Sequence, residues 1–140
     1  MAKRSIEFDI KVKDFKFSNE NFFKGANIIK PNLWKKVAFT HHIDNLKSKL
    51  ISQRERVFEF HFILEMKPDL GEINFDGECV LESPEQNKVN FILQNSPDTI
   101  KNFIIPFILK YSYHNVEKIG KKEGLPFPPV NVILKQYGIN

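Results

Sequence analysis

Two consecutive stretches of strict two-residue alternation constrain the fold of this chain more than any other feature. Their apolar positions are Phe58, Phe60, Phe62, Leu64 and Met66, and then Ile73, Phe75, Cys79 and Leu81. Polar or acidic residues fill most positions between them, and the sequence Pro-Asp-Leu-Gly at 68–71 supplies a turn. Because successive side chains of a strand point to opposite faces, the pattern predicts two antiparallel strands with one apolar and one polar face.

The N-terminal part of the chain predicts two further, less regular strands. Apolar residues alternate at Ile6, Phe8, Ile10 and Val12. In the second segment the alternation places Val37, Phe39, His41 and Ile43 on one face. In the first segment the apolar positions then shift to Phe15 and Phe17, and such a slip of one residue predicts a β-bulge. Leu46 and Leu50 change parity in the second segment in the same way. The polar, glycine-containing residues 18–30 are predicted to connect the two strands.

The C-terminal part predicts helices that cover the apolar face of the sheet. A helical spacing of apolar residues runs from Ile100 to Tyr111, Ser96 and Pro97 suit its N-terminus, and Pro106 is expected to kink it. Residues 89–93 fit either a short helix or a strand. The proline-rich residues 125–130 predict an extended segment, and residues 132–137 a short closing helix. Residues 1–140 are therefore predicted to form one α+β domain, in which a four-stranded antiparallel sheet precedes a long helix and a short C-terminal helix.

Cysteine content and hydropathy favour a cytoplasmic protein. Cys79 is the only cysteine, so the chain cannot form an internal disulfide and a cysteine-based zinc site is not expected. The N-terminal residues alternate and do not form the apolar core of a signal peptide. No apolar run is long enough to cross a bilayer, so membrane insertion is not expected.

Neither nucleic-acid binding nor catalysis is expected from the residues. The net charge of +4 comes from lysines that are interleaved with acidic residues and form no basic patch. His41 and His42 are neighbours on a predicted strand, so they point to opposite faces and cannot bind one metal ion together. No nucleophile elbow and no glycine-rich phosphate loop is present. We expect no enzyme activity, no cofactor and no metal site.

Two predicted connections contain more large apolar residues than surface connections usually do. The first contains Phe22, Phe23 and Trp34, and the second Leu125, Phe127 and Val130. These residues either complete the core by folding over the sheet or line a hydrophobic groove that binds another molecule. The pattern alone leaves both interpretations open.

Several short motifs resemble the SecB family of protein-export chaperones. Residues 102–111, Asn-Phe-Ile-Ile-Pro-Phe-Ile-Leu-Lys-Tyr, are similar to the start of the family's long helix, and residues 124–131, Gly-Leu-Pro-Phe-Pro-Pro-Val-Asn, to the loop that follows it. Residues 13–17 resemble the family's first strand, and residues 33–37 its crossover loop with a single tryptophan. The resemblance extends over nearly the whole chain, which would be a divergent, basic member.

The resemblance implies an ATP-independent chaperone, a holdase, that binds unfolded or precursor polypeptides (its clients) in a hydrophobic groove. The residues that would bind clients are Phe22, Phe23, Trp34, Leu125, Phe127, Ile133 and Tyr137. It also implies a homotetramer, a dimer of dimers, with an interface formed by Ile100, Phe103, Ile104, Phe107, Ile108 and Tyr111.

The family docks the translocation motor SecA through carboxylates of the sheet, and this sequence matches that surface only in part. Asp14 and Glu78 correspond to it, whereas Ser18 stands where an acid is expected. With a net charge of +4, docking to SecA is not expected. A chaperone dedicated to one partner, such as a toxin–antitoxin system, is the alternative, as is a small-ligand-binding protein of the same fold.

Overall fold

A computed structural model describes residues 10–25, 37–67 and 71–138. Four strands, β1 (Lys11–Lys24), β2 (Ala38–Leu50), β3 (Glu55–Lys67) and β4 (Gly71–Glu82), precede three helices, α1 (Gln86–Asn95), α2 (Pro97–Glu123) and α3 (Val130–Gln136). The strands form one antiparallel sheet in the order β1-β4-β3-β2. Consecutive strands β1 and β2 therefore lie at opposite edges. The predicted α+β class with a four-stranded antiparallel sheet is confirmed.

The two central strands have the burial pattern that their alternation predicts. The apolar residues of β3 and β4 are buried, and the residues between them are mostly partly exposed. Tyr113 of α2 packs edge-on against Phe62, and Tyr111 stacks on Phe15 of β1. The helices therefore cover the apolar face, and we call the opposite, polar face the outer face.

Bulges interrupt both edge strands where the sequence changes parity. The pairing of β1 with β4 shifts between Lys13 and Phe15, and that of β2 with β3 shifts between Asp44 and Lys47. Asp14 and Asn45 have φ angles of 53° and 57° in these bulges. Asp and Asn adopt this left-handed conformation more readily than other non-glycine residues. The bulges keep Val12 and Phe15 on the same face, as the parity change predicts.

The prediction that the first strand ends before Ser18 is wrong. β1 continues to Lys24, with a second irregularity between Ser18 and Asn21, and pairs with β4 down to Gly71. Phe22 and Phe23 thus belong to a strand and not to a connection. Because they are adjacent in a strand, they point to opposite faces of the sheet.

Residues 89–93, for which the sequence allows either a short helix or a strand, lie within α1 and are helical. Ser96 precedes α2 as predicted, but its side chain makes no capping hydrogen bond. α2 is helical through Pro106 and ends at Gly124, whose φ of 71° is the left-handed conformation typical of a helix C-terminus. The predicted closing helix is α3.

The core is rich in stacked aromatic rings. Phe62 is fully buried and stacks on Phe75 with ring centroids 5.3 Å apart. Phe17 contacts Phe75 edge-on, with ring centroids 5.0 Å apart. The ring of Phe60 lies directly over Gly77, where a Cβ atom would be only 2.3 Å from it. The buried phenylalanines of β3 and β4 therefore account for part of the abundance of phenylalanine in the sequence.

Candidate functional site: an apolar surface at the end of the long helix

Large apolar side chains are exposed on β1 beside the last turns of α2, and on the segment and short helix that follow α2. We call this region the C-terminal surface and define it by Phe22, Phe127, Ile133 and Tyr137. Phe22 is 44% exposed and Tyr137 52% exposed, whereas Phe127 and Ile133 are partly buried. Such a group of exposed aromatic side chains marks a binding surface more often than an ordinary surface.

The segment after α2 is held tightly against the helix. The backbone N–H of Leu125 donates to the carbonyl oxygen of Gly120 at 3.0 Å. The ring of Phe127 packs on Gly120 so closely that a Cβ atom there would be 2.5 Å from it. Leu125 itself is 2% exposed and reaches toward Gly71 of β4. Leu125 therefore belongs to the core and supports the surface from beneath.

Phe22 lies beside the last turns of α2. It lines a cleft of about 110 Å³ with Glu20, Asn21, Ile119, Lys122 and Glu123. The side-chain amide of Asn115 donates to Glu20 Oε2 at 2.9 Å, which ties this part of β1 to the helix. The half-exposed ring is thus held in place by a strand that is anchored on both sides.

Phe23 lies on the outer face, away from Phe22. It is 60% exposed and borders a small depression with Glu65, Lys67 and Glu72. The two adjacent phenylalanines therefore border different faces of the edge strand. A chain that contacted both would have to pass around the edge of the sheet.

Tyr137 lies beside a part-buried polar contact between β2 and α2. His41 Nδ1 of β2 lies 2.6 Å from the hydroxyl oxygen of Tyr113 on α2. The His41 ring also meets Tyr137 at 5.5 Å and stacks on Phe62 at 5.9 Å. His41 thus links the sheet, the long helix and the end of α3.

Protonation of His41 is disfavoured in the folded protein. Burial, and then the charge of the neighbouring His42, lower the pKa of His41 from its usual 6.5. Burial and the nearby Tyr137 raise the pKa of Tyr113, so its hydroxyl stays neutral. The groups that face His41 are therefore neutral tyrosines, and no carboxylate of the described residues is bonded to it.

The stability of the fold is expected to fall as the pH is lowered through 6.5. The unfolded chain keeps the usual pKa of His41, so it binds the proton first, and the folded state loses stability until the pH passes the lower folded-state pKa. His41→Gln, which can still bond to Tyr113, should flatten this decrease below about pH 6.5 in urea unfolding. His114→Gln, at an exposed position of α2, is the control. Parallel curves for wild type and His41→Gln would contradict the assignment.

The six residues of the predicted oligomer interface separate into two groups. Ile100, Ile104 and Ile108 are fully buried in the core. Phe103, Phe107 and Tyr111 lie on another side of α2, with Tyr111 42% exposed and the rings of Phe103 and Phe107 5.6 Å apart. We call these three residues the aromatic stripe. Only the stripe is available for contact with another molecule.

The middle of the sheet carries a depression that is lined by polar residues of the outer face together with Phe17, Phe60 and Gly77. It has a volume of about 540 Å³ and is bordered by the two edge strands near their bulges. At its centre His61 Nδ1 lies 2.7 Å from Asp76 Oδ1, and the Asn19 amide donates to Asp76 Oδ2 at 2.8 Å. The bond from Asn19 and then that to His61 lower the pKa of Asp76. Glu78 lines the same depression, whereas Asp14 lies in the first bulge of β1.

The remaining cysteine and histidine candidates, Cys79 and His42, are buried or paired in the described parts of the chain. Cys79 is fully buried, and burial raises the pKa of its thiol to about 12. His42 Nε2 lies 3.3 Å from Glu65 on the outer face, opposite to His41.

Within residues 10–25, 37–67 and 71–138 no group of His, Cys, Asp and Glu has the arrangement of a metal site. None of the three helices is long and apolar enough to span a membrane. Trp34 lies outside the described residues.

Exposed apolar residues at the other end of the sheet were not anticipated. Leu50 and Ile51, at the turn between β2 and β3, are 54% and 49% exposed, and Phe91 of α1 is 64% exposed. The exposure of Phe91 could have been predicted from helical spacing. Phe91 lies on the side of α1 opposite to Val89, which is buried.

Comparison with known proteins identifies the architecture. No protein-family model and no curated protein sequence matches the chain. Among solved structures, the chain is similar to the Mycobacterium tuberculosis SecB-like chaperone Rv1957, in complex with a ChAD peptide from the Rv1956 HigA1 antitoxin. The match covers 85% of this chain and 86% of that chain, with a TM-score of 0.53 and 12% identity. The likeness is one of structure, and the chain has a SecB-like fold.

Proposed function

We propose that this protein is an ATP-independent holdase chaperone that binds unfolded polypeptides on its C-terminal surface. The observation that carries the proposal is the exposure of aromatic side chains on a SecB-like fold, on β1 beside the last turns of α2 and after the short helix α3. Phe22 and Tyr137 provide the exposed rings, and the partly buried Phe127 and Ile133 complete the surface. Phe23 on the outer face, and Trp34, which lies outside the described residues, are further residues that the proposal assigns to client binding.

Binding in this proposal is physical and needs no chemical step. Apolar side chains of a client lose contact with water when they lie against Phe22 or Tyr137, which contributes about 25 cal/mol per Å² of apolar surface. One such contact is weak. Several contacts along one client chain reinforce each other, because each bound segment raises the effective concentration of the next.

Assembly would multiply these contacts. We propose a homotetramer, a dimer of dimers, in which the aromatic stripe of α2 provides part of the contact. An interface core rich in aromatic side chains is typical of stable oligomers. Docking to a translocation motor through Asp14 and Glu78 is not part of the proposal, because strand β1 places Ser18 opposite Asp76 and adds no further acid there.

A chaperone dedicated to one partner is the second candidate. The observation that favours it is the antitoxin peptide in the complex of the structurally similar M. tuberculosis protein. A dedicated chaperone would copurify from its own cells with one protein in stoichiometric amount. A general holdase would copurify with many proteins in small amounts, each displaced by an added unfolded polypeptide.

Phe22→Ala and Tyr137→Ala together are expected to weaken client binding about tenfold. Each substitution removes an exposed ring, and the loss of about 50 Å² of contact from two rings corresponds to roughly 1.4 kcal/mol at 25–30 cal/mol per Å². The measurement is fluorescence anisotropy with a labelled, permanently unfolded model polypeptide.

Phe91→Ala is the matched control for this experiment, because it removes an exposed ring from α1, away from the C-terminal surface. Its affinity should equal that of the wild type. Equal weakening by Phe91→Ala and by the double variant would contradict a localised site. A wild-type protein that binds no unfolded polypeptide would contradict the proposed function itself.

A further inference from the structure

The helices leave one corner of the apolar face uncovered, at the turn between β2 and β3. Leu50, the last residue of β2, lies directly opposite Arg56 of β3, so the two side chains share the face of the buried Phe58. Leu50 is 54% exposed and the following Ile51 is 49% exposed. Arg54, in the same turn, is exposed as well. We call Leu50, Ile51, Arg54 and Arg56 the turn surface.

The turn surface is held in place by the segment that leads into α1. The buried side-chain amide of Gln86, in the first turn of α1, donates to the carbonyl oxygen of Arg54 at 3.0 Å. The backbone N–H of Ser83 donates to the same oxygen at 2.8 Å. The N–H of Ile51 donates to the carbonyl oxygen of Glu55 at 3.0 Å. A partner would therefore meet a turn that is already ordered, which lowers the entropy lost on binding.

The guanidinium of Arg56 is buried without a carboxylate. Arg56 is 7% exposed, its Nε donates to Gln86 Oε1 at 3.4 Å, and its Nη1 donates to Ser48 Oγ at 3.3 Å. Both acceptors are neutral, and both bonds are longer than most N–H···O bonds. Burial lowers the pKa of Arg56 from its usual 12.5, and no neighbouring charge contributes. A guanidinium stays charged in a protein, so this charge is buried without compensation.

Part of this guanidinium can be reached from solution. Its bonds use Nε and Nη1, so both hydrogens of Nη2 have no acceptor among the described residues. Among the buried side-chain nitrogen and oxygen atoms of those residues, Ser112 Oγ is the one without both a partner and contact with solvent. Nη2 also has no partner, so it keeps contact with solvent and is open to a ligand.

The acidic residues close to this corner do not compensate Arg56. Glu55 and Glu82 lie on the outer face, where Lys13 bridges them at 2.7 and 3.5 Å. Glu85 lies 3.4 Å from a lysine of α1. In the described parts of the chain, neither arginine of the turn surface has a carboxylate within ion-pair distance. Two unpaired positive charges therefore lie beside two exposed aliphatic side chains.

We propose that the turn surface binds a polypeptide segment in which one Asp or Glu is flanked by aliphatic or aromatic residues. The carboxylate accepts from Nη2 and from the remaining hydrogen of Nη1 of Arg56, the paired geometry that suits a guanidinium. An apolar side chain beside it covers Leu50 and Ile51, which contributes about 25 cal/mol per Å² of apolar surface. Arg54, at the rim, favours the approach of an acidic segment.

This site is separate from the C-terminal surface. Phe22 pairs with Ile73 of β4, and Arg56 pairs with Leu81 of the same strand. The two partners are eight residues apart, since 81 minus 73 is 8, which corresponds to about 27 Å along a strand. The turn surface can therefore bind a polypeptide whether or not the C-terminal surface does.

Two peptides that differ in one atom group test the proposal. Both have acetylated and amidated ends, so that no terminal carboxylate competes, and their central residues are Leu-Glu-Phe in one and Leu-Gln-Phe in the other. The glutamate peptide is expected to bind about tenfold more tightly in fluorescence anisotropy, because a charged acceptor replaces a neutral one of the same shape. Equal affinity of the two peptides would overturn the proposal.

Substitution of Arg56 separates binding from a purely structural role. Arg56→Met should abolish the preference for glutamate, and because it removes an uncompensated buried charge, its stability in urea unfolding should be at least that of the wild type. Arg56→Lys keeps the charge but not the paired geometry, so it should lose most of the preference. Lys118→Met, at an exposed position of α2, is the control of equal charge and should keep it. An unstable Arg56→Met with an intact preference would reduce the arginine to a clamp between β2 and α1.

The remaining outcomes distinguish this inference from the proposed function. Phe22→Ala with Tyr137→Ala should leave the preference for glutamate unchanged, and its loss there would move the acidic site to the C-terminal surface and refute the assignment. A retained preference in a protein that binds no unfolded polypeptide would contradict the holdase function and support the turn surface. Displacement of the glutamate peptide by inorganic phosphate at equal concentration would indicate a general anion site and refute a polypeptide occupant.

Discussion

Phe62→Ala is expected to lower the free energy of unfolding by about 4 kcal/mol, the cost typical of removing a fully buried phenylalanine. Phe62 is 0% exposed and is contacted by the rings of Phe75, His41 and Tyr113. These rings are held by three other elements, so they cannot close the cavity. For a protein of this size the loss corresponds to a decrease in Tm of about 10–15 °C.

Phe23→Ala provides the control for this prediction with an identical chemical change. Phe23 is 60% exposed on the outer face, so its removal should change the free energy of unfolding by less than about 0.5 kcal/mol. Urea unfolding of both variants measures the difference directly. Similar losses of stability in the two variants would show that the helices do not cover the face of the sheet that carries Phe62.

Tyr111→Glu is expected to dissociate the proposed homotetramer. Tyr111 stacks on Phe15 with ring centroids 4.4 Å apart and extends the aromatic stripe beyond Phe107. An unpaired carboxylate in an apolar interface costs about 3 kcal/mol or more, which raises the dissociation constant more than a hundredfold. Light scattering coupled to size exclusion should show the mass falling from about 66 kDa, four times 16.4 kDa, to that of a dimer or monomer.

The matched control is Phe91→Glu, which introduces the same charge at an exposed aromatic residue of α1. Its mass should remain that of the wild type. Far-UV circular dichroism of both variants verifies that the fold is retained. A wild-type protein that is monomeric at micromolar concentration, or a Tyr111→Glu variant with unchanged mass, would remove the aromatic stripe from the account of assembly.

The fold could be predicted where burial repeats with the period of the secondary structure. β3 and β4 lie in the middle of the sheet, with one face packed against the helices, so their alternation is nearly perfect. The end of β1 could not be predicted. It lies at the edge of the sheet, where residues from Ser18 to Lys24 are exposed on both faces, so burial imposes no alternation on them. Pairing with β4 determines that part of the strand.

The sequence indicates the apolar composition of the candidate site but not its geometry. The sequence indicated Phe22, Phe23, Leu125 and Phe127 as an apolar surplus, yet it could not show that Leu125 is buried. Phe22 and Phe23 separate onto different faces only because β1 extends through them. The contact between His41, Tyr113 and Tyr137 joins residues up to 96 positions apart, since 137 minus 41 is 96, and no local pattern encodes it.

Sequence periodicity also cannot show which residues of the predicted oligomer interface are buried in the core. On α2, two rows of residues spaced four apart run side by side: the isoleucines at 100, 104 and 108, and the aromatic residues at 103, 107 and 111. Both rows are apolar, so periodicity joins them into one wide stripe. Only packing against the sheet shows that the isoleucines form the core and that the aromatic row remains available.

The most direct test of the proposed chaperone function is light scattering from an unfolded model protein that is diluted from denaturant, with and without this chain and in the absence of ATP. The account predicts that aggregation is suppressed near one tetramer per unfolded chain, and that Phe22→Ala with Tyr137→Ala weakens the suppression. Aggregation that proceeds equally with and without an excess of the protein would contradict the account and leave the SecB-like likeness as one of fold alone.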